Sequence, residues 1–113
     1  MIENLRWFGV LREEAVNEAR IEEAVYKLGL SGFEDSLCSH LSEGQRKRVA
    51  LGQFLIIDNP CWVMDEPFSA IDADGLSFLM AILQEHLDVK GGIIISTHQP
   101  ITIDRPINTL ALQ

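Results

Sequence analysis

Apolar residues along this chain follow two rhythms, and the change between them falls near residue 57. Up to that point they recur at helical spacing. Between Glu13 and Leu28, the residues Ala15, Val16, Ala19, Ala24, Val25 and Leu28 fall near one face with charges between them, the pattern of an amphipathic helix. Lys27 lies in its last turn and Gly29 where a C-terminal cap belongs, so the helix is predicted to stop there. Ser31 to His40, with its glycine, serine and acidic residues, reads as a loop. Ser42 followed by Gln45 has capping-box spacing and is predicted to start a long apolar and basic helix. Asn59-Pro60 stops it.

After that point the apolar runs are short. Cys61-Trp62-Val63-Met64 breaks off at Asp65-Glu66-Pro67, as a buried strand does on entering a loop. Asp72 can cap a helix whose apolar positions are Leu76, Leu79, Met80, Leu83 and Leu87. Gly91-Gly92 turns the chain into Ile93-Ile94-Ile95, a β-branched strand ending at Ser96-Thr97-His98, and Asn108 to Leu112 is predicted as a final strand. Strand, helix and strand at this spacing imply a right-handed parallel crossover, so both strands end at the same edge. Ligands bind at that edge in open α/β sheets. Asp65, Glu66 and His98 are expected to meet there. The chain thus divides into a helical part, residues 1–57, and an α/β part, residues 58–113.

Composition excludes several classes. A chain of 113 residues with 47% apolar content can build one real core. Its greasiest stretch, Val49 to Ile57, is interrupted by Gly52 and Gln53 and is far short of the ~20 residues that span a bilayer. Glu3, Arg6, Arg12, Glu13 and Glu14 break any candidate signal peptide. Any membrane role is therefore expected to come through partners. With 17 acidic and 9 basic residues the net charge is −8, which repels a polyphosphate backbone, and Arg46-Lys47-Arg48 is too short to reverse it. Cys38 and Cys61 form no CxxC pair and read as reduced thiols of a cytosolic protein. His40, His86 and His98 lack zinc-site spacing, so no structural metal is expected.

Four places carry candidate chemistry, each with a plainer alternative. The helix start Leu41-Ser42-Glu43-Gly44-Gln45 could hold an anion on its free N–H groups, with Gly44 allowing close approach and Ser42 adding a donor; it could equally be an ordinary capped helix. Asp65 just past a buried strand can serve a Mg²⁺ site and Glu66 can polarise a water; the plainer reading is that the pair simply terminates the strand. His98 could donate an N–H to a terminal phosphate, or be structural, and Asp72 is most simply a helix cap.

The order LSEGQ, a strand into Asp-Glu-Pro, Ser69-Ala70-Ile71-Asp72, then a strand into His98 resembles the nucleotide-binding subunits of ATP-binding cassette (ABC) proteins over nearly the whole chain. The resemblance implies a partial P-loop NTPase fold, α/β, with a helical subdomain followed by a parallel-sheet core segment. It implies ATP and Mg²⁺ as ligands, a second nucleotide-binding domain paired head to tail, and transmembrane subunits that hold the protein at the cytoplasmic face of the inner membrane. By motif match Ser42, Glu43, Gly44 and Gln45 form the signature facing ATP on the partner, and Asp65 serves Mg²⁺. Glu66 activates water, His98 contacts the γ-phosphate, and Asp72 lies in the loop that communicates across the dimer.

Two departures stand out. Glu43 replaces the usual glycine, and no G-x-x-x-x-G-K-[ST] loop or preceding glutamine loop is present. The chain opens inside the helical subdomain, with Ile2-Glu3-Asn4-Leu5-Arg6 resembling its first helix. It is therefore expected to be a C-terminal fragment, inactive alone. Gly32-Phe33-Glu34-Asp35, the run Gln45 to Leu51, and Thr97-His98-Gln99-Pro100 are similar to the cytochrome c maturation ATPases, which implies haem export. Another ABC exporter, a non-transport ABC ATPase and a non-catalytic interaction module are the alternatives.

Overall fold

A computed structural model describes residues 1–11, 17–101, 103 and 105–109. Among these residues three helices are followed by strand, helix and strand, as the two rhythms predict: α1 Ile2–Leu11, α2 Glu18–Lys27, α3 Glu43–Ile56, β1 Cys61–Asp65, α4 Ala73–Asp88 and β2 Gly92–Ser96. A short 3₁₀ turn, Cys38–His40, lies within the predicted loop ahead of α3.

The second helix starts later than its apolar spacing suggests. Asn17 is extended (φ −108°, ψ 109°), and its side-chain oxygen accepts the N–H groups of Ala19 at 3.0 Å and Arg20 at 3.4 Å. A start at Glu13 is thereby corrected to Glu18, while Ala15 and Val16 lie outside the described residues. The other end matches expectation. Gly29 adopts φ +69°, and the N–H groups of Gly29 and Leu30 return to the carbonyls of Tyr26 and Val25 at 3.0 and 2.9 Å. That is a Schellman closure, which satisfies two orphan carbonyls. Of the expected final strand, residues 110–112 lie outside the described set, and Asn108 and Thr109 have irregular backbone.

In the helical part α1, α2 and α3 pack together around Leu5, Ile21, Leu28 and Leu30, all fully buried. Close approach of α1 to α3 depends on Gly52, where a Cβ would stand 2.3 Å from the Leu5 side chain. In the α/β part β1 and β2 pair in parallel, Cys61 with Gly92 through Asp65 with Ser96. Trp62 and Met64 turn inward beside Leu79, Ile82 and Leu83 in one core cluster. Val63 and Ile94, paired on the opposite sheet face, remain 67% and 61% exposed. At the far end of the sheet from the carboxylates, the His86 ring stacks on Trp62 at 3.6 Å and its Nε2 lies 3.0 Å from the Pro60 carbonyl oxygen. Among the described residues no helix is long and apolar enough to cross a membrane.

Candidate functional site

The two strands end in register, which decides what stands at their common edge. Asp65 and Ser96 are direct partners, and the Ser96 hydroxyl donates to Asp65 Oδ1. One residue on, Glu66 takes a left-handed backbone, φ +47°. A non-glycine residue there costs roughly 1–3 kcal/mol unless its surroundings hold it. Two hydrogen bonds do so: the Glu66 N–H donates to the Ser96 carbonyl at 2.7 Å, and the Ser69 N–H donates to the Glu66 carbonyl at 3.2 Å. The turn brings the half-buried Glu66 side chain to His98, Nε2 to Oε1 3.4 Å, although the His98 ring is 97% exposed. Asp65, Glu66 and His98 therefore do converge, as the parallel crossover predicts.

Directly around Asp65 the described residues present carboxylate, hydroxyl and carbonyl oxygens, with Asp65 Oδ1 engaged by the Ser96 hydroxyl and the His98 ring lying beside Glu66. Such a set suits a hard cation such as Mg²⁺, which binds few protein ligands and keeps water.

The start of α3 forms a second, separate cluster. Ser42 caps the helix reciprocally: its Oγ accepts the Gln45 N–H at 3.1 Å, and Gln45 Oε1 accepts the Ser42 N–H at 2.9 Å. Among the described residues the N–H groups of Glu43 and Gly44 have no acceptor, and the Ser42 hydroxyl keeps its proton to donate. Gly44 faces Asp72: a Cβ there would lie 2.9 Å from the Asp72 carboxyl. Asp72 in turn caps α4 through the Gly75 N–H at 2.7 Å. Among the described residues, no hydrogen bond or ion pair joins Ser42, Glu43, Gly44 or Gln45 to Asp65, Glu66 or His98. Among the described residues the two clusters are thus separate.

Arg48 binds this second cluster together, and sequence reasoning missed it. It is the buried charged residue of α3, 6% exposed. Nη1 donates to the Leu28 carbonyl at 3.2 Å, Nη2 lies 3.5 Å from Asp72 Oδ2, and the guanidinium sits over the Phe78 ring at 5.4 Å. Spacing held the signal. Gly44, Arg48, Gly52 and Ile56 fall four apart along α3, so Arg48 shares a stripe with glycines that admit close neighbours. Ser96 was also missed, because only register sets it opposite Asp65.

Fold and motifs together define a class. Residues 2–69 match the family model described as ABC transporter, and the chain belongs to that family. Over 110 residues it is 37% identical to the cytochrome c biogenesis ATP-binding export protein CcmA of Saccharophagus degradans, covering 90% of this chain and 49% of that protein. The protein of the same name from Vibrio cholerae is 40% identical over 105 residues, covering 93% of this chain and 51% of its own length. A putative ABC transporter ATP-binding protein from Pyrococcus furiosus superposes with a TM-score of 0.73 at 28% identity, covering 88% of this chain and 50% of that one. The chain spans about half the length of the curated relatives it matches.

Proposed function

We propose that these residues belong to the ATP-hydrolysing subunit of an ABC exporter acting in cytochrome c maturation, with haem or a haem-handling step as its task. Residues 1–57 are the helical subdomain with the signature helix, and residues 58–113 are part of the ATPase core. The meeting of Asp65, Glu66 and His98 at the C-terminal edge of two parallel strands carries this reading. The printed names of the relatives support the export role.

Each residue then has one task. Asp65 holds Mg²⁺, directly or through water. The ion, when bound, neutralises charge on the phosphates. Glu66 orients the attacking water and accepts its proton. His98, exposed and beside Glu66, donates an N–H to the γ-phosphate. Ser42, Gly44 and Gln45 present hydroxyl, N–H and amide donors at a helix N-terminus to ATP seated on a second, head-to-tail ATPase domain. Glu43 in the same turn is exposed and lowers that site's positive potential. Asp72 reports on the pairing through Arg48 and Gly44. Transmembrane subunits provide the route and hold the ATPase at the cytoplasmic membrane face.

The test is Glu66→Gln in the full-length protein that carries these residues. Hydrolysis is expected to fall at least ~100-fold, the low end for losing a general base, while ATP affinity stays near wild type. Unchanged turnover would remove Glu66 from the reaction.

A further inference from the structure

Ser96 closes β2 directly opposite Asp65, and three features of the carboxylate edge run through it. Its hydroxyl donates to Asp65 Oδ1. Its carbonyl accepts the Glu66 N–H at 2.7 Å, one of the two bonds that hold Glu66 at φ +47°. Two residues further on stands His98, facing Glu66. The neighbouring hydroxyl, Thr97 Oγ1, instead accepts the Gln99 N–H at 3.0 Å, and among the described residues the one hydroxyl bonded to Asp65 is that of Ser96.

An aspartate carboxylate turns easily about its terminal torsion, where the energy wells are broad. A hydroxyl bonded to Oδ1 fixes the carboxylate plane and leaves Oδ2 open for another partner. Mg²⁺ demands near-ideal geometry of its oxygen ligands, so a carboxylate already held in plane has less freedom to lose on binding. Partners of this kind, one bond behind the ligand, commonly set metal affinity.

We propose that Ser96 is a positioning residue for the Mg²⁺ site: its hydroxyl orients the Asp65 carboxylate that receives the ion, while its carbonyl fixes the backbone turn that aims Glu66. This rests on the reading of Asp65 as the Mg²⁺ residue. Ser96 is exposed at a strand end, so threonine and valine both fit, and both suit a strand. They differ by a hydroxyl against a methyl.

The experiment measures Mn²⁺ affinity by electron paramagnetic resonance in the full-length protein, loaded with a non-hydrolysable ATP analogue. Ser96→Val should weaken Mn²⁺ binding about 10-fold or more. Ser96→Thr should retain it. Affinity for the analogue without metal and the unfolding midpoint should match between the two variants, which a merely structural role would not produce. If valine lowers the midpoint, Ser96→Ala removes the hydroxyl without added bulk and should give the same loss of Mn²⁺ affinity. Wild-type Mn²⁺ affinity in Ser96→Val or Ser96→Ala overturns the proposal. Asp65→Asn separates the two readings: lost Mn²⁺ affinity there, with none lost at Ser96, refutes positioning alone. Retained Mn²⁺ affinity in Asp65→Asn refutes the Mg²⁺ reading itself.

Discussion

Arg48 carries a full charge into the junction of α2, α3 and α4, where three unlike partners receive it. The Leu28 carbonyl stands at the C-terminal end of α2, where the helix dipole is negative. Asp72 supplies a carboxylate and Phe78 a ring face. Among the described residues Nε has no partner, and the group is held there by its two terminal nitrogens and by packing. Arg48→Ala should cost ~1–3 kcal/mol, because a carbonyl loses its buried donor, and urea denaturation would measure it. Arg48→Lys should recover only part of that loss, since a point charge cannot reach carbonyl and carboxylate together as the planar fork does. A midpoint unchanged in Arg48→Ala would show that the junction is held by apolar packing alone.

Helix ends, more than helix interiors, set the geometry around the start of α3. Gly29 ends α2 in a left-handed turn that sends the chain toward α3, and the Phe78 ring of α4 fills the space beside it. A Cβ at Gly29 would lie 2.3 Å from that ring. Gly29→Ala therefore combines a left-handed penalty of about 1 kcal/mol with displacement of Phe78, the ring beneath Arg48. Its expected cost exceeds that of Gly32→Ala, where φ is +95° but a Cβ would meet nothing within 4 Å. Unfolding midpoints of the two variants test this, since φ +95° strains an alanine at least as much as +69° does; a loss at Gly29 no larger than that at Gly32 would overturn the expectation. Lys27, the last residue of α2, also reaches α4, with Nζ 2.7 Å from Glu85 and 3.0 Å from Glu23. Partial burial works against its charge, but these two carboxylates outweigh it and raise its pKa above the ordinary lysine value.

At the scale of the whole molecule, the outer sheet face is the feature least suited to water. Strands of parallel sheets are normally covered on both faces, yet Val63 and Ile94 lie side by side and largely exposed. An apolar patch on a two-stranded sheet invites association. The 113 residues, expressed as a separate polypeptide, should self-associate, and Val63→Thr with Ile94→Thr should shift them toward monomer in size-exclusion chromatography with light scattering. An unchanged profile would acquit this face. The same polypeptide should show no micromolar Mg-ATP site by calorimetry. No lysine-bearing glycine loop cradles phosphate within these residues, and Glu43, Asp65 and Glu66 oppose its charge.

Local chemistry alone determined much of this protein. Ser42 and Asp72 announce their helix starts because a cap depends on residues only three apart. Gly29 announces an end because few other residues tolerate its φ. The parallel crossover, and with it the meeting of Asp65, Glu66 and His98, followed from strand, helix and strand in order. The start of α2 was misread because apolar spacing continues past a cap, and only the Asn17 side chain marks the boundary. Tertiary structure decided the rest. It set Ser96 against Asp65, Gly44 against Asp72, and Arg48 between Leu28 and Phe78. These pairs lie 20 or more residues apart in the chain. Which of them meet depends on strand register and on how closely helices approach, and neither is written in any short stretch of sequence.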